Sequence, residues 1–99
     1  MNNLQRKTLL LLCENNDVAK AEELELNLEI DIDGIAWVEA HGSEIGFYPG
    51  EDWCVIRDLR KCEPMSLHNA VCLARAYETL DAQLGGNKVL KSLARCLSQ

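Results

Sequence analysis

Leu24, Leu26, Leu28, Ile30 and Ile32 alternate without a break with Glu25, Asn27, Glu29, Asp31 and Asp33. A two-residue period belongs to a strand with one buried face and one wet face, whereas a helix would scatter these apolar residues around its circumference. Asp33-Gly34 follows at once, and Ile35-Ala36-Trp37-Val38 resumes the apolar run. Asp-Gly between two such runs is a strong hairpin signal, because a type I′ turn needs positive φ at both central residues. A two-residue loop predicts Ile32 opposite Ile35 and Ile30 opposite Trp37, the second an aromatic–β-branched pair of the kind that steadies antiparallel ladders. The outward face of the first strand then carries Glu25, Glu29, Asp31 and Asp33 in a row.

The pattern on either side predicts helices. Asn2 or Asn3 can cap a first helix through the leucines at 9–12, ending before Glu14-Asn15-Asn16-Asp17, and Val18 to Glu23 has the propensity for a short second one. Beyond the hairpin, His41-Gly42-Ser43-Glu44 suits a two-residue turn with glycine first, which sets Val38 against Phe47 and Trp37 against Tyr48. Tyr48-Pro49-Gly50-Glu51 fits a type II turn, and Trp53 to Leu59 reads as a fourth strand. Arg57 to Glu63 reads as a polar connector ending at Pro64. Ser66 is placed to cap the longest helix, Leu67 to Leu84, which Gly85-Gly86 ends; Asn87 would start a last one through Leu97. The expected fold is α+β: an N-terminal helix or helix pair, a four-stranded antiparallel meander, and two C-terminal helices on one sheet face. Length and a hydrophobic fraction of 47% are those of one small domain, residues 1–99.

Charge changes this picture more than composition does. The net charge is −6, yet residues 14–52 alone carry −11, against +2 before them and +3 after. Such a field disfavours nucleic acid and anionic membranes and favours a protein partner with a basic surface. A helix–turn–helix reading of residues 3–23 fails on the same ground, since Glu22 and Glu23 would face phosphate. Five cysteines, at 13, 54, 62, 72 and 96, form no close pair and are odd in number; with no secretory signal, reduced thiols in a cytoplasm are expected.

Candidate chemistry is sparse. His68 and Cys72 stand at i, i+4 on one helix face, with Cys62 six residues earlier and Cys54 brought near if the meander packs on that helix. These four are the weak candidates for a zinc site; no Cys-x-x-Cys accompanies them, and buried cysteine otherwise behaves as a small hydrophobe. Glu29-x-Asp31-x-Asp33-Gly34 resembles half of a calcium loop, but Ala40 occupies the place of the bidentate glutamate. Glu39 and Glu44 would flank His41 on one strand face, an arrangement for a base but equally for a surface ion pair. Neither a nucleophile signature nor a phosphate-cradling glycine loop is present, so no catalytic residue and no cofactor is assigned.

Binding is the remaining function class. The candidate binding residues are Glu25, Glu29, Asp31 and Asp33, which can steer a basic partner, with Trp53 and Tyr48 as aromatic anchors; Trp37, paired with Ile30, is assigned to the core. In size, acidity and helix–sheet–helix order the chain resembles bacterial secretion chaperones and phage-encoded inhibitors of host defence systems. That resemblance carries no motif and assigns no residue. It implies a non-enzymatic regulator or inhibitor of a protein partner, including a basic nucleic-acid-binding one. The alternatives are an acidic escort chaperone, and a small Cys/His enzyme or zinc-binding domain. Monomer and homodimer are both compatible with the sequence.

Overall fold

The computed structural model describes residues 1–85. Helices α1 (Asn3–Glu14) and α2 (Asp17–Glu23) precede a sheet of β1 (Glu29–Ile30), β2 (Ala36–Ala40), β3 (Ser43–Phe47), β4 (Trp53–Arg57) and β5 (Arg60–Lys61). Helix α3 (Leu67–Gly85) follows. The five strands are antiparallel and lie in chain order, so the sheet is a simple meander. The α+β class is as expected; the sheet has five strands rather than four. The last helix predicted from Asn87 lies outside the described residues.

The alternating stretch from Leu24 yields only a two-residue strand. Its first half finishes α2: Glu25 is left-handed (φ 58), the Glu25 amide donates to Glu22 O, and the Leu26 amide to Ala21 O. These two bonds satisfy helix-end carbonyls that would otherwise lack partners. Its second half is a loop. The Asp31 amide donates to Ile35 O and the Gly34 amide to Asp31 O, enclosing the three residues Ile32-Asp33-Gly34 with Gly34 at φ 80. A three-residue loop sets Ile30 opposite Ala36 and Glu29 opposite Trp37, one place from the two-residue expectation. Because side chains alternate, a shift of one place exchanges the faces. Ala36 and Val38 turn inward, Trp37 turns outward, and Ile32 is left 75% exposed at the loop.

The second hairpin closes at His41-Gly42, both with positive φ (53 and 77), giving Val38 opposite Ile45 and Trp37 opposite Gly46. This register differs from the expected one by two places, which leaves every face unchanged. The type II turn at Pro49-Gly50 forms as predicted, with the Glu51 amide on Tyr48 O and Gly50 at φ 84. After Arg57 the chain turns again through Asp58 and Leu59, both left-handed. The sequence expectation of a connector here fails because Leu59, unlike Asp58, is not a residue that such a turn favours, so the hairpin shows only half of its usual signature. Leu59, at its tip, is 99% exposed.

One sheet face is covered by α3, which Ser66 caps through the Asn69 amide. Leu67, Ala70 and Ala74 of α3 are fully buried with Ala36, Val38, Ile45, Phe47, Trp53 and Val55 of the sheet. The two alanines let the helix lie close to the strands. Arg57 fixes its far end, stacked 4.1 Å from the Tyr77 ring centre and forked onto both carboxylate oxygens of Asp81.

Helix α1 docks against the first hairpin. Its capping box uses Asn2 and Gln5, and the same two side chains also donate to Ile32 O and Ile30 O. Buried Thr8 donates to Gly34 O. A Cβ at Gly34 would stand 3.0 Å from Leu4 Cβ, so only glycine admits this approach as well as the positive φ. Of the leucine run only Leu12 is fully buried; Leu10 and Leu11 are exposed.

Trp53 corrects the sequence reading most directly. It has no exposed surface, tilts against Phe47 at 5.3 Å between ring centres, and donates its indole N–H to Asp17 Oδ2 at 3.0 Å. The Trp53 side chain therefore ties α2 to β4 and is core. Trp53→Ala should lower the unfolding free energy by about 3–5 kcal/mol, measured by urea denaturation with far-ultraviolet circular dichroism. A loss under about 1 kcal/mol, typical of a surface substitution, would contradict its placement.

Candidate functional site

The face of the sheet away from α3 follows from the registers. Glu29 opposes Trp37, Trp37 opposes Gly46, and Gly46 opposes Cys54, so all four share it. Glu39 and Glu44 oppose each other on the same face, and Glu44 in turn opposes Ile56, which opposes Lys61. Trp37 lies across Gly46, where a Cβ would come within 2.9 Å of the indole ring. Tyr48 meets Trp37 edge-on at 5.9 Å, and the Lys61 ammonium stands 4.2 Å above the Tyr48 ring centre while pairing with Glu51 at 3.1 Å. The result is a half-buried aromatic band running from β2 toward β5.

Asp31 holds the β2 end of this band. Its Oδ1 accepts from the amides of Asp33 and Ile35, and its Oδ2 accepts the Trp37 indole N–H at 2.9 Å. The Trp37 bond, followed by the loop amides, draws the Asp31 carboxyl below its ordinary value of 3.8. Asp17, the other indole acceptor, moves the opposite way: burial raises it, the Trp53 bond offsets part of this, and the charge of Asp52 adds to the rise.

Beside the band, Asn27, Glu29, Trp37, Glu39 and Glu44 line an open hollow of about 410 Å³. Glu39 and Glu44 face each other directly, an arrangement that destabilises a sheet. With Glu29 they place three exposed carboxylates around a half-buried tryptophan. The hollow has no enclosed wall and no nucleophile, and suits a surface that binds side chains from another molecule.

The residues singled out from sequence are distributed differently. Glu25 terminates α2, Glu29 lies on the outer face, Asp31 is committed to the loop and the indole, and Asp33 is exposed within the loop. They do not form one row. Tyr48 belongs to the outer face, whereas Trp53 is interior. Glu39, Glu44 and Trp37 are missing from the sequence assignment because the second hairpin sets Glu44 against Glu39 rather than His41, and the one-place shift of the first hairpin turns Trp37 outward. His41 instead contacts Glu78 at 3.3 Å.

The four candidate metal ligands do not converge. Cys54 is fully buried on the outer side of β4, its thiol pushed up by burial and then by the Glu51 charge. Cys62 lies 4.0 Å from the Tyr77 hydroxyl, while Cys72 and His68 are exposed on α3. Among the described residues no three His, Cys, Asp or Glu side chains are grouped to hold a metal ion.

Compared with family models, curated proteins and solved structures, the chain has no match. No helix among the described residues is long and apolar enough to cross a membrane.

Two substitutions test this geometry. Asp31→Asn keeps an acceptor for the loop amides but puts an NH2 against the indole donor, and should reduce stability by about 1–2 kcal/mol. The Asp31 carboxyl is depressed, so its stabilisation is complete above the ordinary carboxylate value and is lost as pH falls through the lower folded value. Denaturation midpoints below pH 4 should therefore fall less steeply in the variant; parallel acid limbs would refute the role. Gly46→Ala pushes Trp37 off the sheet and should cost about 1–3 kcal/mol, with a red shift of tryptophan emission as Trp37 becomes wetter.

Proposed function

We propose that this chain is a small, non-enzymatic binding protein of the cytoplasm whose outer sheet face receives a basic surface of a protein partner and so regulates or inhibits it. The observation that carries this reading is the direct opposition of Glu39 and Glu44, with Glu29 nearby, around the half-buried Trp37. Solubility alone does not ask for two like charges in cross-strand register, since that position lowers stability. The aromatic band supplies area that becomes dry on docking, and anchors of this kind carry most of an interface's affinity. The carboxylates supply steering and exclude acidic competitors.

A second reading, an escort chaperone, is favoured by a separate observation. Met1, Leu4, Leu10 and Ile32 are more than half exposed on α1 and the neighbouring loop. That apolar surface, rather than the aromatic band, would hold an apolar client segment.

The double variant Glu39→Gln with Glu44→Gln separates stability from binding. Relieving the opposed charges should raise stability by about 0.2–1 kcal/mol, read by thermal melting. The same change should slow association with a partner captured from the native host, while dissociation changes little. Association of the parent chain should also slow as added salt shortens the Debye length from about 10 Å toward about 3 Å. An on-rate unaffected by both the substitutions and salt would dismiss the acidic face; loss of capture on Leu10→Glu instead would select the escort reading.

A further inference from the structure

The turns at His41-Gly42 and Asp58-Leu59 lie at the end of the sheet away from the Asp31 loop, on either side of a hollow of about 650 Å³. Helix α3 lines it with Glu78 and Asp81, and Glu44, Ile56, Asp58 and Leu59 line it from the sheet. His41 engages Glu78 and Arg57 engages Asp81, whereas Glu44 and Asp58 make no ion pair among the described residues. Leu59 is held in left-handed backbone (φ 64), which a leucine resists, and it is 99% exposed. Its side chain therefore gains nothing from the described residues, and strain of this kind points to a use outside them.

The chain itself supplies a segment that fits. Helix α3 ends at Gly85, and fourteen residues follow it. Residues 1–85 carry −9 and hold every acidic residue of the chain, whereas residues 86–99 carry +3 through Lys88, Lys91 and Arg95. At helical spacing Val89, Leu90, Leu93 and Leu97 fall on one side of this segment and the three cations on the other. Asp81 stands four residues, about 6 Å along the axis, before the end of α3. Gly85-Gly86 permits a reversal of direction there. Residues 87–97 reach about 16 Å as a helix, enough to span a hollow of that volume.

We propose that residues 87–97 turn back from the end of α3 and dock in this hollow, their apolar side against Leu59 and Ile56. The three cations then lie in the field of Glu44, Asp58, Glu78 and Asp81. The occupant is the chain's own segment because an attached partner is present at high effective concentration, whereas a second copy carrying −6 is repelled. Docking removes Leu59 from water, which the described residues alone do not. Because Glu44 also belongs to the outer face, a docked segment lowers the negative charge offered there. The contact does not depend on the binding role given to that face, and no partner is needed to detect it.

The test is tryptic cleavage of the reduced full chain after Lys88 and Lys91, followed by mass spectrometry of the released C-terminal fragments. A synthetic peptide of residues 86–99 gives the unprotected rate, and cleavage of a docked segment follows the fraction that is open. The parent chain should be cut more slowly than the peptide. Leu59→Asn, which keeps a residue tolerant of left-handed backbone, and Leu93→Glu should each speed cleavage. The expected factor is about fivefold or more, from losing part of one buried leucine. The two changes together should add little to either alone, as for residues in contact. Near-ultraviolet circular dichroism of the buried Trp53 at the parent's value would show that the variants keep their fold. Parent and peptide cut at the same rate, variants that leave the rate unchanged, or effects that simply multiply would overturn the docked segment. Protection that rises with protein concentration, the sign of a second copy, would overturn it too.

Discussion

The closure of a three-residue loop by Asp31 is the constraint on which the rest of this molecule depends. One carboxylate collects two loop amides and an indole N–H. Choosing three loop residues rather than two decides which side of β2 is dry. Ala36, Val38 and Ala40 then face the side of the sheet that α3 covers, in one core with Ala70 and Ala74. Trp37, one place out of step with them, is sent to the other face. The same loop offers Gly34 to α1, so the position of the first helix follows from the turn rather than from its leucines.

Much of the architecture was legible in the sequence because it rests on local chemistry. Helix caps at Asn2 and Ser66, the type II turn at Pro49-Gly50 and the helical period after Leu67 each express a short-range preference, and each is found. The failures are long-range. The alternation from Leu24 to Asp33 is a genuine period, but Leu24 to Leu28 serve the end of α2 and its path to the sheet, where an exposed Glu25 adopts positive φ without being glycine. The Asp33-Gly34 signal correctly marked a hairpin but not its loop length, which Asp31 decides by bonding to Ile35. The turn at Asp58-Leu59 carries a turn former only at its first place, and Leu59 at the second conceals it.

Site residues were harder to read for the same reason. A row of acids along one strand is a statement about register, and a slip of one place dissolves it. Burial of Trp53 could not be seen from its position after a glycine-containing loop, because what covers it is Asp17, thirty-six residues earlier. The two tryptophans have exchanged the roles that sequence proximity suggested. Each uses its indole N–H on an aspartate, one to anchor a helix and the other to hold an aromatic surface in place.

The side chains of Asn2 and Gln5 on the carbonyls of Ile32 and Ile30 have a consequence for recognition. The outer strand of a sheet ordinarily offers its backbone as a template on which another chain can zip itself as an additional strand. Here those carbonyls are already occupied at one margin. At the other, the segment after β5 steps out of register through Pro64 before Met65 rejoins Trp53. The β1 margin is thus sealed by side chains, while the β5 margin is a two-residue strand bearing Arg60 and Lys61 and ended at Pro64. Strand addition at the β1 edge would first have to displace Asn2 and Gln5, and with them the cap of α1.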